Sequence, residues 1–340
     1  MKDLKYIFKD DGGFRCGVPL MDSRQVVITD GVINRMDATG DYIIKNPDGA
    51  FSLSLQDGRR PSGSIQIVKV LDNPGSSAKS DNYITVGKES SSRMLLCYHT
   101  MSEAAYSSVE KVHVSIQENA SVVLTVMQNQ NSRSDCEFGL VADLAQGASL
   151  KLNLITLSGG ETRNRPSINF TGEHAGCEVN GLYLADGSQK IDTVVNINHM
   201  VPYCKSSQLF RGILNGKAVT KFNGVIYVAK DAQKTEAFQA NNNLLSSEQA
   251  RAYTQPHLII YADDVKCSHG ATVGNLNEDE LFYLRSRGIS LEEARQLQQQ
   301  AFAYGVLSKI DNVELRRELE IMTAKRLRGE LTGCMACVKG

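Results

Sequence analysis

Two side chains able to ligate a soft metal stand two residues apart in the stretch Tyr261-Ala262-Asp263-Asp264-Val265-Lys266-Cys267-Ser268-His269-Gly270-Ala271-Thr272-Val273-Gly274: the thiol of Cys267 and the imidazole of His269. On an extended segment, alternation puts Val265, Cys267 and His269 on one face and Asp264, Lys266 and Ser268 on the other. Two strand rises, about 6.6 Å along the chain, separate the pair, close enough for both to lean onto one iron, zinc or copper ion. A lone Cys-x-His lacks the spaced partners of a closed metal site, so a packed thiol and a histidine bonded to a backbone carbonyl is the reading that the spacing by itself favours. Gly270 and Gly274 are read as sharp turns beside the pair.

Other reactive residue types form weaker patterns. Asp263 and Asp264 are adjacent, so on a strand they point to opposite faces and cannot easily share a substrate; they read as surface or turn acids, and no catalytic residue is assigned. His174, His199 and His257 each lack a second ligand at recognisable spacing and read as structural. Cys334-Met335-Ala336-Cys337 is half a zinc site without a thioredoxin-like context, and no role is assigned to it. No GxxxxGK[ST] occurs, so the chain itself is not expected to be an ATPase.

The elements that must position these residues are β-type. With 340 residues the chain exceeds what one compact core usually holds, which predicts two domains or an elongated solenoid. A net charge of -1 carries no electrostatic footprint for nucleic acid or an anionic membrane. Without Trp and with 6% aromatics, the core is expected to be Val, Ile, Leu and Ala, which suits narrow stacked strands. No window approaches ~18 consecutive apolar residues and no leader-like apolar run opens the chain, so a cytoplasmic protein without a membrane span is expected. Eight widely spaced cysteines predict reduced, buried thiols.

Residues 1–60 carry dense turn signals, such as Gly12-Gly13, Asp30-Gly31 and Asn46-Pro47-Asp48-Gly49, and predict short strands joined by tight turns. Residues 72–82 and 89–92 read as polar loops. From Val112 small-residue corners recur at Asn119-Ala120-Ser121, Gly147-Ala148-Ser149 and Ala175-Gly176-Cys177, each 28 residues after the last and flanked by alternating strands. Strands and corners at that period are a solenoid signature, with a β-sandwich as the alternative. Asn241-Asn242-Asn243 reads as a further corner, and residues 246–253 as a polar link before a strand that Pro256 opens. After Gly274 the period turns helical. Asn277 with Glu280 and Ser290 with Glu293 make capping boxes, with Leu276 and Leu281 as a staple, and residues 312–328 form a third helix. The apolar faces of these helices are too large to cover one another, which predicts a partner-docking surface. The expected divisions are residues 1–90 leading into the solenoid, 91–274 as its core, 275–330 as helices and 331–340 as a tail.

Residues 222–302, above all DDVKCSHGATVG followed by LFYLRSRGIS at 281–290, resemble the SufB/SufD family of iron-sulfur cluster assembly scaffolds, and within it the SufD branch. The resemblance implies a right-handed parallel β-helix, here over roughly residues 20–274, followed by a small C-terminal helical domain. It implies a non-enzymatic subunit that pairs with SufB as a heterodimer and binds the SufC ATPase through the C-terminal helices. It also implies a transient iron-sulfur cluster and no permanent cofactor, with His269 as the matching ligand and Cys267 as its assistant. A chain on its own is expected to form a homodimer through the open solenoid end. The helical domain that generally opens bacterial members is largely missing here, which puts any function of that domain in doubt. The competing functions are a β-helix carbohydrate-active enzyme, for which no paired carboxylates stand out, and a purely structural β-solenoid dimer.

Overall fold

The computed structural model describes residues 23–37, 40–45 and 49–330; Cys16, the turns at Gly12-Gly13 and Asn46-Pro47-Asp48, and the Cys334/Cys337 pair lie outside them. The chain begins with β1 (Ser23–Thr29), β2 (Val32–Met36), β3 (Tyr42–Lys45), β4 (Ser52–Leu55), β5 (Ser64–Leu71), β6 (Ser77–Val86) and β7 (Ser91–Thr100). It continues through β8 (Ser107–Ile116), β9 (Ser121–Asn129), β10 (Asp135–Leu144), β11 (Ser149–Ser158), β12 (Glu161–Phe170) and β13 (Gly176–Ala185). Then come β14 (Lys190–His199), β15 (Lys205–Leu214), β16 (Val219–Val228), β17 (Glu236–Leu245), β18 (Arg251–Ile260) and β19 (Lys266–Asn275). Helices α1 (Glu278–Ser286), α2 (Leu291–Leu307) and α3 (Val313–Leu327) follow.

Strands alternate between two sheets: one runs β19-β17-β15-β13-β11-β9-β7-β5-β1-β2, the other β18-β16-β14-β12-β10-β8-β6-β4-β3. All neighbours are parallel except β1–β2 and β3–β4, which are antiparallel and open the structure. The result is the expected parallel β-solenoid, of about eight turns. Its corners repeat as the small-residue pattern predicts. A left-handed residue closes each coil at Glu89, Asn119, Gly147, His174, Tyr203 and Lys234, at steps of 30, 28, 27, 29 and 31. The N–H of Asn119 donates to Gln146 O at 2.9 Å, Gly147 to Glu173 O at 2.9 Å and Lys234 to Asp264 O at 2.7 Å, so each corner is tied to the next. The residue after each left-handed position is buried and small: Ser90, Ala120, Ala148, Ala175, Cys204 and Thr235. Cys204 therefore fills a corner slot that Ala takes elsewhere, in line with an inert thiol.

Two apolar layers result from alternation on the first sheet. Inward residues such as Leu124, Leu152, Val179 and Phe210 join Leu140, Ile168 and Val195 from the second sheet in the interior. Outward residues Ile155, Leu157, Leu182, Leu184, Ile213 and Leu244 pack against Ala303, Val306, Leu307, Leu315, Leu319 and Met322 of α2 and α3. The apolar faces of α2 and α3 are thus covered by the solenoid itself, and the large apolar residues that stay exposed on the helices are Phe282, Tyr283, Leu291, Leu297, Tyr304, Val313 and Ile321. Two arginines pin the helices: Arg211 Nη1 donates to Phe302 O at 2.6 Å while stacking on its ring, and Arg326 Nε donates to Leu157 O at 3.0 Å.

Several local expectations are corrected. Residues 77–82 are part of β6, and residues 91–92 begin β7. The polarity of β6 has an interior cause, because inward Ser80 and Asn82 bond Glu110 (2.5 and 3.1 Å), which pairs with buried Lys69 at 2.6 Å. Asn241-Asn242-Asn243 lies in the middle of β17. Asn243 Nδ2 donates to Asn241 Oδ1 at 2.7 Å, and Tyr183 Oη donates to Asn243 Oδ1 at 2.5 Å, so Asn241 and Asn243 are bonded inside the coil while Asn242 lies on the other face. Residues 251–253 already belong to β18, and Pro256 sits mid-strand, tolerated because β18 is the edge of its sheet. Ser290 and Glu293 form the expected capping box. Asn277 caps α1 by accepting from Asp279 and Glu280, but its own N–H goes to Gln298 Oε1 at 3.1 Å rather than to Glu280.

Candidate functional site at the open end of the solenoid

The strand that ends at Ile260 does not run on into the Cys-x-His pair. A corner at residues 261–265 intervenes and carries the chain to the opposite sheet, where β19 starts. Asp264 belongs to that corner: its carbonyl accepts from Lys234 N, its N–H donates to Gln233 Oε1 at 2.9 Å, and its carboxylate pairs with Lys234. Asp263 and Asp264 are both exposed. They are turn acids, as alternation suggested.

β19 pairs in register with β17, placing Cys267 over Ala237, His269 over Gln239, Ala271 over Asn241 and Val273 over Asn243. Ala237, Gln239, Asn241 and Asn243 are all buried, so the parity of Cys267 and His269 is that of the interior face. Cys267 packs against the last interior cluster, formed by Ile226, Val228, Ala232, Ala237 and Ala262. Among the described residues no further coil lies above β19, and His269 is therefore exposed although it occupies an interior position. The structure thus brings the two residues onto one face, as the spacing predicted. Gly270 and Gly274 make no turn; they are extended within β19, on its other face.

Burial pushes the Cys267 thiol above its ordinary range, partly offset by a backbone hydrogen bond at Ala237. Among the described residues no group of three Asp, Glu, His or Cys converges in a way that could hold a metal ion. The pair is thus an open, two-donor set, nitrogen and sulfur, on the interior face of the last, uncovered strand. Such a set supplies part of a coordination shell and leaves the rest to another molecule.

The remaining histidines sit elsewhere. His199 is fully buried against Phe170, with Nε2 2.8 Å from Ser206 Oγ, and burial lowers its pKa to about 4. His174 occupies a left-handed corner and stacks on Tyr203, while His257 faces outward and exposed on β18. No described helix is long and apolar enough to cross a membrane.

What the residue types alone did not single out is the floor beneath His269. Gln208 and Gln239 are in register with each other and then with His269. Both amides are buried, and neither their nitrogens nor their oxygens have a hydrogen-bond partner; Thr254 Oγ1 on β18 is also unpartnered. Two inward glutamines become visible as a column only once the register is known.

A family model described as SUF system FeS cluster assembly, SufBD core domain, matches residues 70–302. The chain is 28% identical over 283 residues to the Escherichia coli iron-sulfur cluster assembly protein SufD, covering 82% of this chain and 66% of that protein. It is 35% identical over 228 residues to a SufBD family protein of Synechocystis, covering 66% of this chain and 47% of the relative. A chloroplastic protein of Arabidopsis thaliana, ABCI7, is 33% identical over 211 residues, or 60% of this chain and 43% of the relative. The chain spans two thirds or less of these relatives' own length. A parallel solenoid whose last strand presents Cys267 and His269, matched over 233 residues by the core-domain model, belongs to the SufB/SufD family of iron-sulfur cluster assembly proteins, in its SufD branch.

Proposed function

We propose that the chain is a non-catalytic SufD subunit of a cytosolic scaffold that builds and hands over iron-sulfur clusters together with SufB and the SufC ATPase. The observation that carries this reading is the position of Cys267 and His269: interior-facing residues left uncovered on the final coil. A scaffold must hold iron and sulfide without keeping them, and half a ligand set completed by a partner does that. His269 supplies an imidazole nitrogen to the nascent cluster and Cys267 assists with sulfur; the cluster is cargo, with no permanent cofactor. SufB covers the open end, where β18, β19 and the corner between them present exposed Tyr253, Ile259, Tyr261 and Val273 beside unpaired strand edges; a second copy takes that place when the chain is alone. SufC docks on the outer face of the helices, where Phe282, Tyr283 and Tyr304 are exposed.

The test is cluster loading, in cells, of a SufB–SufC–SufD complex carrying His269→Ala. His269 is exposed, so the substitution removes a ligand and little packing. The complex should elute intact on gel filtration while its loading collapses. An intact complex that loads like the wild type would leave His269 a structural residue.

A further inference from the structure

The column beneath His269 is built at a cost. Gln239 is 3% exposed, and neither Nε2 nor Oε1 finds a partner. Burying an amide without hydrogen bonds is unfavourable, and an apolar residue of similar size would avoid that penalty. The opposite sheet leaves room for it: a Cβ on Gly224 would lie 1.9 Å from Gln239 Nε2, so a larger residue there would push the amide from its place. Gly224 is an interior residue of β16, on a strand otherwise filled inward by Thr220, Phe222, Ile226 and Val228. One coil below, Gln208 is a second buried amide without partners, and one coil above in the same register stands His269.

We propose that Gln239 is a positioning residue for His269. Its amide is held in the floor of the terminal coil by packing against Gly224 and, by a change of side-chain torsion, bonds one imidazole nitrogen of His269. The other nitrogen is thereby set facing out of the solenoid end. An amide suits this role because it can either donate to or accept from the ring, and either bond fixes the tautomer. Neighbouring parallel strands lie ~4.8 Å apart, within reach of a glutamine side chain and the imidazole in register with it. Gln208, beneath, and Asn241 and Asn243, beside it on β17, make the floor around Gln239 polar. The consequence for cluster assembly rests on the proposed role of His269; the bond to the ring does not.

Two readouts keep these apart. In the full chain with 15N-labelled histidine, observed above the imidazole pKa and assigned by loss of the signal in His269→Ala, His269 should show one dominant tautomer. Gln239→Leu should give the mixed tautomers of a free imidazole. Gln239→Glu, which can only accept, should hold the ring with its facing nitrogen protonated. In the SufB–SufC–SufD complex Gln239→Leu should load clusters about tenfold less well, with thermal stability equal to or above wild type. A purely structural glutamine would lose stability and loading together. Identical tautomer ratios in wild type and Gln239→Leu overturn the proposal whatever the loading, and so does full loading by Gln239→Leu in a complex where His269→Ala fails. If His269→Ala itself loads normally, the assembly role of the histidine falls, while the tautomer ratio still decides the positioning.

Discussion

The two ends of the solenoid interior are both polar, and they are polar in opposite ways. Near the first coils Lys69 and Glu110 form a buried pair, and Ser80 and Asn82 complete it with bonds of 2.5 to 3.1 Å. At the last coils Gln208, Gln239 and Thr254 carry side-chain atoms with no partner, under an exposed His269. The middle, around Leu124, Leu152, Leu140 and Ile168, is mostly apolar, with Gln128 Nε2 donating to Asn164 Oδ1 at 2.9 Å. A closed network specifies a structure; an open one marks where another molecule is to be met.

The largest expected effect tests the closed end. Glu110→Ala leaves the Lys69 ammonium buried without its counter-charge and should cost about 3–5 kcal/mol. The double change Lys69→Met with Glu110→Leu removes both charges at similar volume and should be close to neutral. Urea denaturation of the three proteins checks this; equal losses in the single and double variants would mean that the pair is not closed off from water.

Between the ends, His199 offers a pH probe. Its folded pKa of about 4 lies below the ordinary 6.5, because burial disfavours the charged ring. Below pH 6.5 the unfolded chain takes up a proton that the folded chain refuses, so stability falls as pH drops from 6.5 toward 4 and is full above 6.5. The loss attributable to this residue should approach about 3 kcal/mol at the acid limit. It is measured as the difference in pH dependence between wild type and His199→Phe, and parallel curves would show that the ring is solvated.

The smallest effect belongs to the open end. Gln208→Leu replaces an unpartnered amide with an apolar side chain and should change stability by less than about 1 kcal/mol, in the stabilising direction. A loss comparable to that of Glu110→Ala would mean that the two ends are alike. Thermal melts distinguish the two outcomes.

Much of this contrast was hidden from the sequence, for a physical reason. Corners were legible because each needs a left-handed residue followed by a small one, as at Asn119-Ala120 and Gly147-Ala148. The helices were legible from Ser290 with Glu293 and from the caps Asn277 and Asn312. The pair Cys267/His269 was legible because parity along an extended strand is local information. Polar interiors were not: Ser80 and Asn82 look like loop residues, and Asn241-Asn242-Asn243 like a turn, because polarity normally signals solvent. Only the register, a non-local property, shows that Ser80, Asn82, Asn241 and Asn243 face inward and that Gln239 lies under His269.

The corner column also makes the solenoid a ruler. At ~4.8 Å per coil, the seven strand steps from β5 to β19 set roughly 34 Å between Lys69 and His269. Each left-handed residue marks a graduation, and the segment from one to the next can be lost or duplicated without disturbing the hydrogen-bonding register on either side. Length and end chemistry can therefore drift independently, so that relatives can differ in how far they reach while presenting the same pair of side chains at the tip.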